Sequence, residues 1–143
     1  MATISRTRRL AAAPQSVWDV LADFGAISAW ADNVDHSCLL SPAADEIGIG
    51  TTRRVQVGRD TLVERVTEFD PPRSLAYDVQ GFTRRLGRLT NRWTLEPAGG
   101  GTVVTLSTTI EVGPSRLQHL TAQAVARISA RQLDRMLTGL AQK

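Results

Sequence analysis

The stretch APQSVWDVLADFGAISAW, Ala13–Trp30, decides the fold. It contains two of the chain's three Trp and one of its three Phe. Pro14 suits the first turn of a helix, where its missing N–H costs nothing. Val17, Val20, Leu21 and Phe24 follow the spacing i, i+3, i+4, i+7 and so share one helical face, with Asp19 and Asp23 opposite and Trp18 on the flank. Gly25 is expected to break this helix. Ile27 and Trp30, three apart, predict a second short helix that bends back. Residues 2–12 before it can form a strand.

Downstream, the period changes to two. From Asp32 to Val112 short strands follow one another: HSCLLS, then IGIGTTRRVQVGRDTLVERVTEFD as two strands joined at VGRD, then SLAYDVQG, LTNRWTLEP and the Thr/Val-rich TVVTLSTTIEV. Pro71–Arg73 and AGGGT are read as turns. No helix intervenes between these strands, so the sheet is expected to be antiparallel. Gly113-Pro114-Ser115 then opens a long helix reaching about Ala141. One stripe of it carries Leu117, Leu120, Thr121, Ala124 and Ile128 and continues onto Arg131 and Arg135. Leu133, Met136, Leu137 and Leu140 lie rotated from that stripe by more than ~90° at 100° per residue. Either the helix bends near Ser129–Arg131, or its halves bury against different surfaces, one lidding a cavity and the other packing on the sheet or on a partner. The order strand, two short helices, about six strands, long helix is an α+β layout. A curved sheet gripping one helix leaves an interior that the helix does not fill.

Composition narrows the function classes. With 143 residues, 42% hydrophobic and 22% charged, the chain reads as one soluble globular domain. No apolar run approaches the ~18 residues of a membrane helix. The Arg-rich N-terminus lacks the apolar core of a signal peptide. Cys38 is the single cysteine, which excludes an internal disulfide and suits a reducing, cytoplasmic compartment. Net charge is +3, carried by sixteen Arg and one Lys, but the Arg are interleaved with fourteen acids. No nucleic-acid-binding motif accompanies them, so no nucleic-acid partner is expected.

Little obvious chemistry is written into the chain. His36 and Cys38 share a strand face, while His119 is far away, so four zinc ligands do not assemble and no metal or cofactor is expected. Cys38 reads as a small buried hydrophobe. AGGGT joins two strands and opens no helix, so it is a turn and not a phosphate loop. On DTLVERVTEFD, alternation puts Leu62, Glu64, Val66 and Glu68 on one face and Val63, Arg65, Thr67 and Phe69 on the other. If the first face is concave, Glu64 points into an apolar interior. Its pKa would rise there unless Arg53, Arg88 or Arg92 answers it. Such a pair could polarise a carbonyl and move protons; the alternative is a solvated Glu64 paired across the sheet. Tyr77 shares a face with Leu75 and Val79, and Asn91 and Trp93 share one with Leu89 and Leu95. Arg84, Arg85 and Arg88 either meet an anionic head group or protect an edge strand by their charge.

Ala13-Pro14, Val17-Trp18, Asp23-Phe24 and Trp30, followed by Asp70-Pro71-Pro72 and Gly101-Thr102, resemble the START-like superfamily in order and spacing. They are most similar to its bacterial polyketide cyclase/dehydrase and lipid-transport branch. The resemblance implies a helix-grip fold: a curved antiparallel sheet of about seven strands wrapped around a long C-terminal helix, with two short helices between strands 1 and 2. It also implies an internal cavity for a lipid, fatty acyl chain or polyketide-like molecule. Residues expected to line it are Trp30, Val55, Glu64, Val66, Tyr77, Val79, Asn91, Trp93, Leu117, Leu120 and Ala124. Three functions are then open: a binder or carrier of a small hydrophobic ligand, a cyclase or dehydratase using Glu64, or a regulatory module with a vestigial cavity. Either a monomer or a homodimer fits.

Overall fold

The computed structural model describes residues 2–40, 47–80, 88–111 and 131–142. The elements are β1 (Ala2–Leu10), α1 (Pro14–Ala22), a 3-10 helix (Phe24–Ala29), β2 (His36–Leu39), β3 (Thr52–Val57), β4 (Asp60–Asp70), β5 (Ser74–Gln80), β6 (Arg88–Ala98) and β7 (Gly101–Glu111). A C-terminal helix covers residues 131–141. Expectations for Leu117, Leu120, Ala124, His119, Arg84 and Arg85, and for the Arg88 side chain, lie outside the described residues.

The seven strands form one curved, unclosed antiparallel sheet in the order β1-β7-β6-β5-β4-β3-β2. From β2 to β7 it is a meander, each strand pairing with the next in sequence. At the β6–β7 hairpin, Ala98 pairs with Gly101 across Gly99 and Gly100, both at positive φ (55° and 85°). A two-residue loop of that shape matches the strands' right-handed twist, and glycine adopts it without strain.

Alternation along the strands builds the core. On β7 every second residue, Val104, Leu106, Thr108 and Ile110, is buried. On β4 the same rule buries Leu62, Glu64 and Val66 and then fails, because the β4–β5 register shifts between Val66 and Glu68. The bulge turns Glu68 outward, against the expected face. Phe69 takes the inner side and meets Trp18 edge-on, with ring centroids 5.3 Å apart. Trp18 is therefore core and not flank, at 3% exposure. The helix also stops earlier than expected. Asp23 leaves helical geometry (φ −76°, ψ 68°), and the 3-10 helix runs through Gly25.

Leu133, Met136, Leu137 and Leu140 are all buried within this chain, so this stripe is not a free face for a partner. Arg131 and Arg135 are exposed, and Arg135 donates to the Asp32 carbonyl at 3.1 Å. Gly139 sets how closely the helix seats: a Cβ there would run into the backbone carbonyl of Trp30. The neighbouring Arg6–Asp134 contact, 3.4 Å with both partners exposed, adds little.

A Gly139→Ala variant tests this seat. Ala is the better helix former by about 1 kcal/mol, yet the clash should make the variant less stable by roughly 1–3 kcal/mol, as overpacking does. Urea unfolding measures it; an unchanged or higher midpoint would show that the helix does not sit on Trp30.

Candidate functional site

The site starts from one cross-strand pair. β3 and β4 place Arg53 directly opposite Glu64, on the concave side. Arg53 is 2% exposed and Glu64 6%. Arg53 Nε donates to Glu64 Oε1 at 2.7 Å. Its Nη2 lies 2.7 Å from the same oxygen, within ion-pair range but not aligned for a hydrogen bond. Nη1 donates to the carbonyl of Phe24 at 2.9 Å, tying the 3-10 helix to the sheet. The guanidinium carbon lies 3.8 Å from the Phe24 ring centroid and 4.6 Å from that of Tyr77, and the two rings meet edge-on at 5.5 Å. Two aromatic faces, one carboxylate and one carbonyl thus stand in for the water this cation has lost. Among the described side chains, Arg53 is the arginine that answers Glu64. Arg92 lies outside instead, where Nε and Nη2 hold Glu68 at 2.9 and 3.3 Å. That contact lowers the Glu68 carboxyl below its usual value and raises the Arg92 guanidinium.

Tyr77 and Trp93, both 1% exposed, continue the polar thread. Trp93 Nε1 donates to the Tyr77 hydroxyl at 3.2 Å, and Trp93 meets Trp30 edge-on at 5.9 Å. Thr108 Oγ1 donates to Asn91 Oδ1 at 2.6 Å. Burial raises the Tyr77 phenol above its ordinary value and the Glu64 charge adds to this. The Arg53 charge and hydrogen bonds from Trp93 and Asn91 act in the opposite sense without reversing it. Tyr77 is thus a neutral phenol throughout the physiological range.

Beside this cluster lies a cavity of about 210 Å³. Its described wall is mainly aliphatic, from Ile27, Val34, Val55, Leu62, Val79 and Met136 among others; Asn33, Asp60, Glu64, Asn91, Thr108 and Gln132 are its polar members. The structure brings Val55, Glu64, Val79 and Asn91 together on this wall. Trp30, Val66, Tyr77 and Trp93 are buried in the core but are not among the described lining residues. They pack into the hydrophobic core instead. Sequence reasoning missed Thr108, although a Thr flanked by Leu106 and Ile110 on the buried parity of β7 was the available signal. Leu133 and Met136 of the C-terminal helix also line the cavity. Asn33 and Gln132 carried no periodic signal. Cys38 is exposed beside an exposed His36, not a buried hydrophobe, because β2 turns Ser37 inward, where it donates to the Gly25 carbonyl at 2.8 Å.

This sheet and its helices match known proteins at the level of fold. A protein from Thermobifida fusca superposes with a TM-score of 0.80 at 23% identity, over 99% of this chain and 91% of its own. A START superfamily protein from Mycobacterium smegmatis gives 0.77 at 16%, over 98% and 94%. The di-domain ARO/CYC protein StfQ from the steffimycin biosynthetic pathway gives 0.78 at 14%, over 98% of this chain and 49% of that one. No curated protein matches the sequence significantly. The family described as polyketide cyclase/dehydrase and lipid transport matches residues 1–143, and the chain belongs to it.

Tyr77 is the only tyrosine, so its ionisation can be read directly from tyrosinate absorbance. In the folded protein the absorbance should rise only above the ordinary phenol range near pH 10, where an unfolded tyrosine titrates. The unfolded chain then loses its proton first, so Tyr77's contribution to stability is intact below about pH 10 and declines as pH climbs toward the raised folded value. Titration of the native protein near pH 10 would refute the buried, neutral phenol.

Proposed function

We propose that the chain binds or transports a small hydrophobic ligand in the cavity between β3–β7 and the C-terminal helix. The observation that carries this reading is the wall itself: aliphatic side chains from the sheet, the 3-10 helix and the C-terminal helix converge on one void, with polar groups confined to a few positions. That division suits a ligand held by apolar burial and oriented by few hydrogen bonds. The family's description, which includes lipid transport, and its START-like fold support the same reading. The modest volume favours a compact molecule over a long chain. Among the described residues, no helix is long and apolar enough to cross a membrane.

Native mass spectrometry of protein purified without denaturation should show one small hydrophobic molecule per chain, carried from the host or taken up as an apolar dye. Val79→Phe places a ring in the cavity and should weaken dye uptake by roughly tenfold, the effect of losing ~1.4 kcal/mol. A protein that is always empty and takes up no apolar probe would overturn this function.

A further inference from the structure

The described part of the cavity wall has a sign. Its described lining includes two carboxylates, Glu64 and Asp60, and no Lys, Arg or His. Glu64 uses only Oε1 to hold Arg53. Among the described residues its second oxygen has no hydrogen-bond partner, although the side chain is only 7% exposed and borders the cavity.

Arg53 cannot turn to serve the cavity in its place. Nε and Nη2 lie against Glu64, Nη1 is held by the Phe24 carbonyl, and Phe24 and Tyr77 occupy its ring-stacking contacts. Nη2 is also sealed from any probe. A molecule entering the cavity therefore meets this ion pair from its anionic side. Asn91 Oδ1 already accepts from Thr108. Among the described residues Asn33 Oδ1 and Gln132 Oε1 are unpartnered neutral acceptors on the same wall, but a hydrogen bond to the charged carboxylate oxygen is the stronger one.

An unmet carboxylate oxygen at an apolar wall is costly. A ligand O–H that donates to it removes that cost. A ligand carboxylate or phosphate brings a second negative charge into a site of low dielectric with no free cation among the described lining residues, which is unfavourable.

Resting on the reading of the cavity as a hydrophobic-ligand site, we propose that its ligand is an uncharged apolar molecule bearing a hydroxyl or phenol group. That O–H donates to the free oxygen of Glu64. Free fatty acids and other anionic head groups are rejected at this position. Glu64 thus sets specificity by charge sign, with Arg53 holding the carboxylate in place.

Three rigid probes of nearly equal size test the proposal by equilibrium dialysis at pH 7: naphthalene, 2-naphthol and 2-naphthoate. 2-Naphthol should bind about tenfold more tightly than naphthalene, the scale of a hydrogen bond to a charged group, and 2-naphthoate should bind most weakly. Glu64→Gln presents an amide that can donate, so the preference for 2-naphthol should shrink and 2-naphthoate should gain. If that variant does not fold by circular dichroism, the wild-type ranking decides alone. Naphthalene binding as well as 2-naphthol, or 2-naphthoate binding best, would overturn the specificity and leave the hydrophobic-ligand reading intact. Failure of all three probes to bind would overturn both.

Discussion

The rest of the interior is arranged around a buried cation. Arg53 lies where water does not reach, and an arginine in that position needs its charge and its N–H groups met by protein. Glu64, the Phe24 carbonyl and the Phe24 and Tyr77 rings meet them. Those four partners come from β4, the 3-10 helix and β5, so one side chain on β3 ties together elements distant in sequence. The arrangement is more a specifier than a store of stability. A hydrophobic substitute for the whole pair could be equally stable, whereas removing one partner costs about 3–5 kcal/mol because the other is left uncompensated. It also fixes register, since sliding β3 by one residue against β4 would send Arg53 to the outer face.

The architecture was largely legible because it depends on period. The i, i+3, i+4, i+7 set around Val17 and the two-residue alternation from β3 to β7 each report which side of an element meets the core. Reading failed where the backbone departs from its period. The bulge between Val66 and Glu68 reverses the faces that follow it, and no glycine or proline marks it. Trp18 looked peripheral on a wheel, yet it packs against Phe69, which lies just after the bulge.

The candidate site was legible to a lesser degree, for a different reason. Parity shows that Val55, Glu64, Val66, Tyr77, Val79, Asn91 and Trp93 point inward. It does not show whether an inward side chain meets a void or a neighbour. Along β5, Val79 borders the cavity while Tyr77, two residues earlier, packs against Phe24 and Trp93. That difference depends on where the rings stack and how the sheet curves, which are properties of the assembled molecule. The Arg partner of Glu64 was narrowed by sequence to three candidates and chosen by the β3–β4 hairpin register, which a two-residue turn imposes.

Strand order has a consequence for how the molecule is made. β2 to β7 can pair hairpin by hairpin, because each strand's partner is its neighbour in sequence. β1 is different: it pairs only with β7, and the hydroxyls of Thr3 and Thr109, which meet across that ladder, are 106 residues apart. Closing so wide a loop must be offset by contacts that exist only once the meander is in place. On a ribosome, β1 emerges first and finds its partner after every other strand. Until then the inner edge of β7 stands open, and the time it stays open is the interval in which a newly made chain is most exposed to pairing with another.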